Sequence, residues 1–169
     1  MQFRKKTYKR ITIKLKPQME FKKILETLEE IILPEMGRKQ QNLKYAVLEM
    51  VNNSIRVHRE NKIKEPICIT LSYNPPSLTI EVRDSGPGFD PGHLPYSLKD
   101  DPKHIDLKSK AFLEYRERNN YRRFGMGLYV VRKTFPVFKL AFLDKDDKSI
   151  PWKLGQVHGT SIIVGIKKD

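Results

Sequence analysis

The sequence has 169 residues, 38% of them hydrophobic and 31% charged, which suits one domain with a real core. No stretch approaches the roughly 20 apolar residues needed to cross a bilayer, and a lone cysteine, Cys68, excludes an internal disulfide. With 33 Lys+Arg against 20 Asp+Glu the net charge is +13, so the partners to expect are anionic: nucleotide, nucleic acid, acidic protein or anionic lipid. The basic start, Met1–Lys6, has no apolar run behind it of the signal-peptide kind, and a cytoplasmic protein is expected.

Tyr8–Lys16 alternates polar and apolar residues and predicts a half-buried strand ended by Pro17. From Glu20 to Leu33 the residues Phe21, Ile24, Leu25, Leu28, Ile31 and Ile32 recur at helical spacing, with Pro34 and Gly37 as stops. A second helix is expected over Gln41–Val57, its stripe formed by Leu43, Ala46, Val47, Met50, Val51 and Ile55. Strands follow at 67–73, where Cys68 reads as a small core residue, and at 78–83, joined by the turn Asn74-Pro75-Pro76-Ser77. Residues 84–90 form a glycine-rich turn. Residues 91–123 hold no strand and one short helical pattern around Lys108–Arg118, the mark of a lid or a disordered loop. Phe124–Leu128 opens a third helix ending near Thr134, and Val137–Leu143 and Gly159–Ile166 are the last strand candidates. Helices grouped between closely joined strands predict an α+β two-layer sandwich, because strands at 67–73 and 78–83 leave no room for a parallel crossover.

Four short motifs carry the chemistry. In Glu49-Met50-Val51-Asn52-Asn53, Glu49 and Asn53 lie one helical turn apart on one face, beside the apolar stripe. An amide oxygen there can ligate Mg²⁺, and a carboxylate can take a proton from an attacking hydroxyl or water. In Asp84-Ser85-Gly86-Pro87-Gly88, a carboxylate that only accepts hydrogen bonds suits an adenine amine, and Gly86 and Gly88 let a flat ligand come close. In Gly125-Met126-Gly127-Leu128, glycines open a helix whose N–H groups suit phosphate, with Arg122 and Arg123 just ahead for charge-assisted contacts. Gly159-Thr160 sets a hydroxyl before an apolar strand. Each motif alone is an ordinary structural feature; their order and combination point further.

Together they resemble the GHKL (Bergerat-fold) ATPase superfamily, the ATP domains of gyrases, mismatch-repair proteins, heat-shock chaperones and histidine kinases. The resemblance runs from the first strand to about residue 166. It implies a single ATP-binding domain over 1–169, with a mostly antiparallel sheet, helices on one face and an ATP lid at 91–123 hinged near Gly125 and Gly127. It also implies that Asn53 holds Mg²⁺ and the phosphates, that Asp84 reads the adenine amine, that Gly86 and Gly88 shape the base pocket and that Thr160 lies beside the base. A short domain of this kind, opening with a strand and an amphipathic helix, is similar to the anti-sigma-factor serine kinases. In those proteins a Glu four residues before the Asn is the general base, and Glu49 matches it. They bind an RNA-polymerase sigma factor and phosphorylate an antagonist protein, which makes both candidate partners, and a homodimer is plausible by the same resemblance. The sequence departs from the pattern at Ser54, where Ala is common. It departs also at His58, one place late and expected on the surface at the helix end, and in a longer, more basic lid.

The leading expectation is therefore a protein kinase that transfers the ATP γ-phosphate to a Ser or Thr of a partner. The alternatives are a histidine-kinase-like ATPase module working with a separate phospho-acceptor and a non-catalytic module that docks proteins under nucleotide control. Nucleic-acid binding has only the net charge behind it and is expected to be non-specific.

Overall fold

The computed structural model describes residues 1–3, 6–32, 39–119 and 126–167. In chain order its elements are β1 Gln2–Phe3, β2 Lys6–Thr7, β3 Arg10–Leu15, α1 Phe21–Glu29, β4 Ile31–Ile32, α2 Lys39–Glu60, β5 Ile67–Asn74, β6 Ser77–Asp84, α3 Lys110–Arg118, α4 Met126–Thr134, β7 Val137–Leu143, β8 Ser149–Ile150 and β9 Gly159–Lys167. Two single-turn 3-10 helices, Pro91–His93 and Pro102–His104, lie between β6 and α3.

Alternation decides the larger sheet. In β3 the residues Ile11, Ile13 and Leu15 are buried and Arg10, Thr12 and Lys14 exposed. The same period of two runs through β5 and β6, because successive side chains of a strand point to opposite faces. The strands order as β3-β5-β6-β9-β7-β8, and every pairing in the sheet is antiparallel. α2 packs on β5 and β6 and against α1 and α4. Its stripe of Leu43, Ala46, Val47, Met50 and Val51 meets Ile67, Ile69, Leu78 and Ile80 in one core. The fold is thus a two-layer α/β sandwich, as the sequence predicts.

The first helix is shorter than its periodicity suggests. It ends at Glu29, and only Ile24 and Leu28 of its residues are buried, while Phe21 is 53% exposed. Ile31 and Ile32 instead pair with Phe3 and Gln2 in a small sheet ordered β2-β1-β4. The β-branched pair satisfies its backbone better against a strand than at a frayed helix end. α2 extends beyond Gln41–Val57 at both ends. Cys68 is not a core residue. It stands opposite Lys14 and Arg83 on the face away from the helices, half-buried.

The segment after β6 is folded. Tyr96, Phe112 and Tyr129 form a second buried cluster, with Leu94, Leu98 and Met126 packed against it. The Tyr96 and Phe112 rings stack with centroids 6.5 Å apart, and Tyr129 meets Tyr96 edge-on at 6.4 Å. Arg132 of α4 donates to the carbonyls of Ser97 and Asp100. α3 is capped by Ser109, whose hydroxyl accepts the N–H of Phe112 at 3.3 Å.

Candidate functional site

β6 and β9 pair so that Asp84 stands opposite Thr160, at the sheet end nearest the second half of α2. A cavity of about 760 Å³ opens there. Asn53, Asp84, Gly88 and Thr160 all line it, and Ala111, Tyr115, Arg118 and Asn119 of α3 and its C-cap close one side. The floor is apolar, from Met50, Leu128 and Ile162. A concave, mostly apolar space of this size with a few convergent polar groups is what a small-molecule site requires.

The Asp84 carboxylate is held from two sides. Ser54 Oγ donates to Oδ2 at 2.7 Å, and the Gly86 N–H donates to Oδ1 at 2.9 Å. A carboxylate oxygen has two lone-pair sites, so both oxygens keep acceptor capacity while the plane of the group is fixed. His58 secures the following residue. Its Nε2 accepts the Ser85 N–H at 3.0 Å, and its Nδ1 faces the Glu65 carbonyl at 3.1 Å. A carbonyl can only accept, so Nδ1 carries the proton. The ring is fully buried, not on the surface as its place near the helix end suggests. It ties the end of α2 to the aspartate turn.

Gly86 does not line the cavity. A Cβ there would come 2.6 Å from Val57 Cγ1, so its role is to seat the turn on α2. Gly127 and Glu49 lie just past the cavity, behind Asn53. A Cβ on Gly127 would sit 2.7 Å from Glu49 Oε2 and 3.2 Å from Asn53 Nδ2. Only a glycine lets α4 approach this carboxylate and amide so closely. Arg123 and Gly125 fall outside the described residues.

Over residues 22–139 the sequence matches the family of the histidine kinase-like ATPase domain. The chain belongs to that family. No curated protein matches it. The wall made by α3 falls within the segment 91–123 that the resemblance implies is the lid. Burial pushes the Tyr115 phenol above its ordinary pKa, opposed by the charge of Arg56, so Tyr115 stays a neutral donor in the cavity. Ser54 and His58 were also legible only in part. Met50, Ser54 and His58 follow at intervals of four along the buried face of α2, and two polar residues on an apolar stripe mark a buried hydrogen-bond network.

The donor set fits a magnesium nucleotide. Among the described residues no three His, Cys, Asp or Glu side chains converge as a metal cage. Mg²⁺ needs none when phosphates and water supply most of its ligands, and the Asn53 amide oxygen is a hard donor of the right kind.

Proposed function

We propose that this ATPase domain binds Mg²⁺-ATP with its base at Asp84 and Thr160, and transfers the γ-phosphate to a Ser or Thr hydroxyl of a partner protein. The observation that carries this reading is the convergence of the Asp84 and Asn53 side chains on one cavity, with Glu49 one turn behind Asn53 against Gly127. Asp84 accepts from the adenine amine. Gly88 and Thr160 border the base, and Asn53 with the helix start at Gly127 holds the phosphate end. Asn53 would hold Mg²⁺, which would supply charge neutralisation at the triphosphate. Glu49 takes the proton of the attacking hydroxyl as its oxygen bonds to the γ-phosphorus and the bond to the ADP oxygen breaks. Positioning and charge neutralisation supply most of the rate in such a transfer. Arg118, on the cavity wall, is available to the phosphates in the role the sequence gives to Arg123.

The reading includes a cytoplasmic, single-domain protein whose candidate partners, by resemblance, are a sigma factor, its antagonist or both, and a second copy of this chain. No helix among the described residues is long and apolar enough to cross a membrane.

Calorimetry with ATP and GTP, with and without Mg²⁺, tests the base assignment. Adenine preference is expected and should vanish in Asp84→Asn. Glu49→Gln is expected to keep ATP affinity within about threefold and to lose transfer by about 100-fold or more, the scale of general-base catalysis. Turnover within a few-fold of wild type would remove Glu49 from the role. A phosphoprotein product that survives acid indicates Ser or Thr; an acid-labile one indicates a separate histidine acceptor.

A further inference from the structure

The two-layer fold leaves one face of the six-stranded sheet without helices among the described residues, and that face is basic. Arg10, Thr12 and Lys14 of β3 point to it. Register extends the rows: Thr12 stands opposite Thr70, then Glu81, then Ile163, then Lys139. Lys14 leads likewise to Cys68 and Arg83. Arg10 and Lys14 are four residues apart, about 13 Å along the strand, and Lys139 lies four strand spacings away, about 19 Å across.

The acids on or beside this face are already engaged. Glu81 accepts from Ser161 Oγ at 2.8 Å, and Asp147 pairs with Arg83. Arg10, Lys14 and Lys139 are exposed and make no ion pair among the described residues. Between them lie the hydroxyls of Thr12 and Thr70, bonded to each other at 3.3 Å. Three exposed cations around a single carboxylate, Glu81, leave the face net positive, which favours an anionic partner.

We propose that this open face is a docking surface for an acidic segment of a partner protein. A protein fits better than nucleic acid. None of the strand positions paired across the face is aromatic, so its rows offer single strands nothing to stack on. A broad sheet face also has no protruding element to enter a duplex groove. An acidic helix about 10–12 Å across bridges cations at this spacing. The proposal stands apart from the nucleotide cavity, which is built on the strand ends and the helical side.

The experiment titrates ¹⁵N-labelled protein with poly-L-glutamate and, separately, with a short DNA duplex at 0.1 M salt. Polyglutamate is expected to shift the amides around residues 10–14, 70, 83 and 139. The variant Arg10→Glu/Lys14→Glu/Lys139→Glu should bind it tenfold or more weakly. The control Lys22→Glu/Lys103→Glu/Lys108→Glu, with the same charge change on exposed positions elsewhere, should stay within threefold. A second readout needs no variant: Cys68, the sole cysteine, lies on this face, and its alkylation should slow at least fivefold with polyglutamate. Equal weakening in both triple variants, shifts centred elsewhere, unprotected Cys68, or tighter DNA binding to the same face would each overturn the proposal.

Discussion

Ser54, on the cavity wall, shows how one hydroxyl can serve a site by orienting another group. Its bond to Asp84 Oδ2 leaves the carboxylate aimed into the cavity instead of free to rotate. A hydrogen bond to a charged group contributes about 1.5–3 kcal/mol, so Ser54→Ala should weaken ATP by about tenfold or more in calorimetry. Unchanged affinity would mean that the Gly86 N–H orients the carboxylate alone. His58 differs, because both its ring nitrogens serve the backbone and the ring is fully buried. Its loss in His58→Ala leaves two partners unsatisfied and a void, about 2–4 kcal/mol of fold stability measured by urea denaturation. Asp144, in the β7–β8 turn, makes a pH prediction. Its carboxylate accepts N–H groups from Lys148 and Asp146, which hold its pKa below the ordinary carboxylate value. A depressed native pKa stabilises the fold above the unfolded value, and the benefit is lost as pH falls through the native one. Asp144→Asn should therefore be less stable than wild type at pH 6, with the gap closing below about pH 4. A gap that does not narrow at all as pH falls below about 4 would show a different cause.

α3 carries the second lesson at the scale of elements. Phe112 is 1% exposed, and with Tyr96 and Tyr129 it anchors the helix that walls the cavity. Truncating a buried phenylalanine costs about 3–5 kcal/mol, but this cluster is separate from the main core. Phe112→Ala should loosen residues 91–119 locally, with amide exchange there faster by 100-fold or more and β5, β6 and β9 unchanged. Global unfolding at the same rate would mean that the two clusters form one cooperative unit. The sheet was legible in the sequence because a period of two in β3 and β6 states which side chains are buried. α2 was legible because its stripe repeats over several turns. The small sheet escaped because β1, β2 and β4 are two residues each, too short to hold any period, and Ile31–Ile32 continue the helical spacing of α1. The cavity's rim was legible at Asn53, Asp84, Gly88 and Thr160 from the order and combination of four motifs, each ordinary alone. α3 was legible only as the short helix of the expected lid at 91–123; its packing was not, because it depends on aromatic pairing between Tyr96 and Phe112, sixteen positions apart, which no local pattern reports.

At the scale of the whole molecule the net charge of +13 sets a term that no contact shows. Like charges repel over the Debye length, about 10 Å at 0.1 M salt and about 30 Å at 0.01 M. Salt therefore relieves the folded state more than the expanded chain, unless it also breaks valuable ion pairs. The described Lys and Arg pairs with carboxylates are poor candidates for that: Arg56–Glu60, Arg83–Asp147 and Lys110–Glu114 are each half or more exposed on at least one partner. Exposed pairs of this sort contribute about 0–1 kcal/mol. Repulsion should dominate, so raising NaCl from 0.02 to 0.3 M should raise the melting temperature by several degrees without nucleotide. The charge-reduced variants of the open face should show a smaller rise, because three of the repelling cations are gone. A melting temperature that falls with salt would reverse the balance, making paired charges the larger stabilising term and the basic face a well-compensated surface.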